Sequence, residues 1–154
     1  MSIYVLAFLI GVLAGLRSMT APAAVSWAAL LGWLHLGNTP LAFLGFAATP
    51  YTLTVLAIGE LIADKLPKTP SRKKPLGFAV RILSGALCGA AIGAASQGLI
   101  GGLLAGVLGA VVGTLGGYEF RLRLVRAIGG KDLPIALLED AIAIGGALLT
   151  VSRL

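Results

Sequence analysis

Long apolar runs, interrupted by short clusters of charge, hydroxyls, glycine and proline, divide this chain into six stretches of helical length. The first runs from about Ile3 to Leu16 and breaks at Arg17-Ser18-Met19-Thr20-Ala21-Pro22, where a charge, hydroxyls and a proline follow one another. The second runs from about Pro22 to Leu36 and gives way to a polar turn through His35, Gly37, Asn38, Thr39 and Pro40. A third begins after Pro50 and stops near Leu66, because Pro67 cannot continue a helix. The interval from Lys65 to Pro75 carries Lys65, Lys68, Arg72, Lys73 and Lys74 among prolines, which suits an aqueous loop. Three further elements follow at about Leu76 to Ala95, Leu99 to Leu124 and Leu133 to Val151, separated by Ser96-Gln97-Gly98 and by Gly129-Gly130-Lys131-Asp132. The runs are continuous and rich in Leu, Ala and Gly instead of alternating with a period of two, so they predict helices and not a β-barrel.

Composition turns this pattern into a fold class. With 58% hydrophobic and 12% charged residues, the chain has too little polar surface to clothe a soluble globule. Its mean hydropathy is +0.99. At roughly 20 residues per spanning helix, 154 residues hold about five or six crossings and no separate soluble domain. The expectation is an all-α integral membrane protein with about six transmembrane helices. The apolar N-terminal run followed by Ala21-Pro22-Ala23 superficially resembles a cleavable signal, but its first basic side chain, Arg17, follows the run instead of preceding it, so the segment reads as a mature helix.

The two halves resemble each other weakly. Gly11 and Gly15 before Arg17-Ser18 parallel Gly89 and Gly93 before Ala95-Ser96, and Gly59-Glu60-Leu61-Ile62-Ala63-Asp64 parallels Leu138-Glu139-Asp140-Ala141-Ile142-Ala143. Three crossings per half predict two inverted three-helix repeats, residues 1–66 and 76–154, joined by a basic loop at 67–75. Placing the N-terminus outside puts every Lys and Arg except Arg153 on the cytoplasmic side, as the positive-inside rule favours. That orientation predicts a multi-pass protein of the bacterial cytoplasmic (inner) membrane with both termini outside. A five-helix arrangement, in which 3–36 is one kinked helix, keeps the same basic loops and stays open.

Against this background the acidic residues stand out. Glu60, Asp64, Glu139 and Asp140 lie within or at the edge of spanning stretches, where an ionised side chain costs several kcal/mol and faces a partner or a polar cavity. Glu60 and Asp64 are spaced i, i+4 and share one helix face; Asp64 with Lys65 also suits a simple marker of the membrane interface. Glu139 and Asp140 are adjacent and point about 100° apart, on the order of 10 Å into the last helix. Such carboxyls suit carrying protons or binding a cation, and an ion pair with Arg17, Arg81 or Arg126 would satisfy the same electrostatics. Arg17, Ser18 and Thr20 mark a broken helix whose new N-terminus favours an anion; an ordinary turn with Thr20 as N-cap is the plainer alternative.

The remaining features are less specific. The ladders Gly85, Gly89, Gly93 and Ala105, Gly109, Gly113, Gly117 allow close helix approach, either inside the chain or at a homodimer face. Lys68, Arg72, Lys73 and Lys74 would attract anionic lipid headgroups, although topology alone accounts for them. The net charge of +6 follows from the same orientation and does not call for nucleic acid. Cys88 sits between Leu87 and Gly89 and reads as an inert buried thiol. No His/Cys cluster, phosphate-cradling loop or nucleophile with a base appears, so no metal, cofactor or enzymatic activity is expected.

At Gly15-Leu16-Arg17-Ser18-Met19-Thr20-Ala21-Pro22-Ala23, and again from Gly59-Glu60 through Asp64-Lys65-Leu66-Pro67 to Arg72, the chain resembles a bacterial membrane family known as domain of unknown function 4126. The second motif is the more specific, and the likeness extends to about Gly93. The resemblance implies a small polytopic membrane protein and no activity. Two functions are therefore carried forward. One is a small transporter or channel that moves an ion or small solute past intramembrane carboxylates. The other is a non-transporting scaffold or lipid-binding protein in which those acids form structural ion pairs.

Overall fold

A computed structural model describes residues 2–37, 39–63, 75–96, 98–130 and 133–153. Among them are six α-helices, one 3-10 turn and no strand: α1 (Ile3–Leu16), α2 (Thr20–Leu30), the 3-10 turn Ala42–Gly45, α3 (Ala48–Ala63), α4 (Pro75–Ala94), α5 (Leu99–Ala127) and α6 (Leu133–Val151). The predicted Asp64 and the basic residues Lys68, Arg72, Lys73 and Lys74 lie outside the described residues. The segments Gly77–Ala94, Leu99–Ala127 and Pro134–Val151 are long and apolar enough to cross a membrane; Ile3–Leu16 and Ala48–Ile62 are apolar but shorter.

Local chemistry sets the boundaries. Ser2 caps α1 by accepting a hydrogen bond on Oγ from the Tyr4 amide at 3.3 Å. Pro22, Pro50, Pro75 and Pro134 all fall in the first turn of a helix, where a missing N–H costs no intrahelical bond. Gly32, at φ 84°, ends α2 with the Trp33 amide donating back to Ala28 O at 2.9 Å. Gly129, at φ 83°, does the same for α5, with the Gly130 amide on Val125 O at 2.8 Å. The apolar run to Leu36 therefore outlasts its helix: α2 stops at Leu30, and Leu34 and Leu36 reach the core from irregular backbone.

The chain reverses direction at each helix. Arg17, the end of α3, Arg81 near the start of α4, Arg121 late in α5 and Asp140 early in α6 meet at one end through their bonds to one another and to the α1–α2 junction. The other end gathers Tyr4 against the α4–α5 connection at Gly98, and Gly32 and Trp33 beside Ser152.

Helices α1, α4 and α5 form the tightest part of the bundle. A Cβ on Gly106 would stand 2.1 Å from Gly85 O, and one on Gly11 would stand 2.2 Å from Gly106 O. On the next turns of α5, a Cβ on Gly109 or Gly113 would meet Phe8 O or Val12 O at 2.1 Å. Only backbone fits between these helices, so the ladders are spent within the chain, with Gly102 and Gly106 of α5 meeting Gly85, Gly89 and Gly93 of α4. By contrast α3 packs on α2 and the 3-10 turn, at the margin of the bundle. The outer faces carry large apolar side chains such as Val55, Leu83, Ile100 and Leu108, all more exposed than buried.

Candidate functional site

Arg17, Ser18 and Met19 form a three-residue break between α1 and α2, and Arg17 has extended dihedrals of φ −142° and ψ 113°. The break is recessed. Asp140 lies seven residues into α6 and Arg81 six residues into α4, so the groups that hold the break sit about 10 Å inside those helix starts at 1.5 Å per residue. Two helix ends thus meet inside the protein, and their orphan carbonyl and amide groups need partners there.

Side chains from three other helices, α3, α4 and α5, supply them. At the α1 end, Arg81 Nη1 donates to Gly15 O at 2.9 Å and to Leu16 O at 2.8 Å, and Thr114 Oγ1 of α5 lies 3.4 Å from Gly15 O. At the α2 end, the Glu60 carboxylate accepts from the Ser18 amide at 2.7 Å, the Ser18 hydroxyl at 2.5 Å and the Met19 amide at 2.9 Å. Ser84 Oγ of α4 donates to Ser18 O at 2.5 Å. The Met19 side chain makes no cap bond of its own. The anion favoured by the new helix N-terminus is therefore Glu60 of the same chain.

Arg17 itself is fully buried, at 0% exposure. Its Nε and Nη2 both reach Asp140 Oδ1, at 2.7 and 2.6 Å, and its Nη1 donates to Leu16 O at 3.1 Å. Glu139 bridges two arginines: Oε1 is 3.6 Å from Arg17 Nη1, and Oε2 is 3.4 Å from Arg121 Nη1. Among the described residues, Arg17, Arg81 and Arg121 thus stand with Glu60, Glu139 and Asp140 in one cluster built from all six helices.

Of the residues singled out in the sequence, the structure brings together Arg17, Ser18, Glu60, Glu139 and Asp140. Thr20 is not the N-cap. It is the first helical residue of α2, and its side chain lines an apolar groove between α2, α3 and α6 while Glu60 serves the amides before it. Among the named arginine partners, Arg17 pairs with the α6 acids, whereas Arg81 serves backbone carbonyls. Ser84, Thr114 and Arg121 were not singled out. Arg81 and Ser84 share a helix face at i, i+3, and Arg121 is a charge in a helix that begins entirely apolar; those were the available signals.

The sequence profile of the family described as domain of unknown function (DUF4126) matches residues 4–152. The chain belongs to the DUF4126 family. Its match takes in every described helix apart from the first residue of α1, and so contains the whole charged cluster. No curated protein and no solved structure matches the chain.

Proposed function

We propose that this DUF4126 protein is a multi-pass membrane protein that moves an ion or small solute past the Arg17–Met19 break. The observation that carries this reading is the recess of the break with its converging charges. A turn at the membrane surface is capped by water at little cost. A turn sunk about 10 Å inside needs charged partners, each of which costs several kcal/mol to desolvate. Opposed half-helix ends at bundle depth are the layout by which discontinuous helices bind solutes in secondary transporters. Glu60 and the Glu139–Asp140 pair would trade their present partners for the transported species.

The same proposal carries six crossings, two inverted three-helix repeats, a bacterial inner-membrane location, cytoplasmic basic loops and outside termini. The close packing of α4 on α5 has no counterpart between α1 and α2, so the repeats would differ in packing. Bilayer lipids are the immediate partners in this reading, and a homodimer would use faces other than the glycine ladders.

One observation favours the second reading, a non-transporting scaffold or lipid-binding protein: the described acids of the cluster are engaged in ion pairs and a helix cap. Side-specific labelling separates the two. In a Cys88→Ala background, Met19→Cys should react with membrane-impermeant maleimide from either face of the membrane if the break alternates its access. A thiol sealed from both sides would support the scaffold.

A further inference from the structure

Helices α3 and α6 both lean on α2 but pack little on each other, which leaves a groove between them. Its volume is about 230 Å³. Ala23 and Ala24 of α2 form the floor, with Ile58 and Leu61 of α3 on one wall and Ile144 and Leu148 of α6 on the other. The wall residues Ile58 and Leu148 are 52% and 56% exposed, so the groove is continuous with the apolar outer face of the bundle.

Its two ends differ. Trp27 and Thr54 close one end and satisfy each other, with Trp27 Nε1 donating to Thr54 Oγ1 at 2.8 Å. Thr20 lines the other end, directly after the Ser18–Met19 amides held by Glu60, whose neighbour Leu61 lines the wall. From Thr20 to Trp27 the floor extends about 10 Å along α2.

We propose that this groove binds one acyl chain of a bilayer phospholipid, entering sideways between α3 and α6, with its polar end toward Thr20 and the break. Three features of the groove favour that occupant. The lining is apolar along its length, which rejects a hydrated solute. The floor's length of about 10 Å along α2 is that of a medium-length extended alkyl segment. The opening faces the surface that lipid covers in the membrane reading, on which this inference rests, although it does not require transport.

Trp27 provides the test, since the chain has two tryptophans and Trp33→Phe leaves Trp27 alone. The Trp33→Phe protein is reconstituted in phosphatidylcholine vesicles with and without bromine on the acyl chains, and indole emission is read. Strong quenching by the brominated lipid is expected, falling at least twofold in Ala57→Leu, which fills the groove from α3. Leu148→Phe narrows the groove from an exposed rim position and should give the same loss without disturbing the core, which far-UV circular dichroism and gel filtration verify. Equal quenching in the filled and unfilled proteins, or none in the unfilled protein, overturns the proposal. The readout is occupancy and not flux, so failure of the transport reading and failure of this one are separately visible.

Discussion

Replacing Arg17 with methionine removes one partner of a buried ion pair while keeping an unbranched side chain of comparable length. Asp140 Oδ1 then loses donors at 2.7 and 2.6 Å, and Glu139 loses the guanidinium 3.6 Å from Oε1. Breaking a buried pair from one side costs about 3–5 kcal/mol, because the remaining charge is left uncompensated. At about 2–4 °C per kcal/mol for a chain of this size, the unfolding midpoint should fall by roughly 6–20 °C. The double variant Arg17→Met/Asp140→Leu removes both charges of the tightest contact and leaves Glu139 with Arg121, so it should recover more than half of that loss. Thermal unfolding in one detergent, followed by gel filtration, reads all three proteins. A single variant within a degree or two of wild type, or a double variant no better than the single, would refute the claim that this contact holds the break.

Other consequences follow from the same geometry. Glu60→Ala strips the acceptor from two backbone amides and a hydroxyl and should cost about 1–3 kcal/mol, while Glu60→Gln should lose less; detergent melts of the pair check the order. Gly106→Ala drives a Cβ to within 2.1 Å of Gly85 O, forcing α4 and α5 apart at about 1–3 kcal/mol. Gly145→Ala, with open space at its Cβ, should instead stabilise by about 0.5–1 kcal/mol, and matched melts would contradict the packing if both variants behaved alike.

Helix existence was legible in the sequence because breakers stand at nearly every true boundary. Ile3–Leu16 and Leu133–Val151 agree with the reading residue for residue, since Arg17 and the Gly129-Gly130 turn interrupt otherwise apolar runs. The end of α2 was not legible: Trp33, Leu34 and Leu36 continue the apolar pattern, and hydropathy alone cannot tell helix from irregular backbone that also reaches the core. Within the site, the acids were found by their cost in an apolar setting. Arg17 was named as one of three possible arginine partners, but sequence could not choose among them across the 123 positions that separate Arg17 from Asp140, nor pair Ser18 with Glu60 across 42, separations that only tertiary packing closes. The glycines pointed to close packing, and Gly109 and Gly113 of the α5 ladder do pack closely, on α1; the contact of α5 with α4 runs through Gly102 and Gly106, which the spacing did not single out.

The most direct test of a carboxylate-dependent pathway through the break is flux in proteoliposomes, followed with an enclosed pH-sensitive dye under a panel of imposed ion gradients. Wild type should respond to at least one gradient, and Glu60→Gln and Glu139→Gln, folded by gel filtration, should abolish that response. Silence of the wild type under every gradient, or equal flux in wild type and both variants, would contradict the account and leave the cluster as the brace of a scaffold.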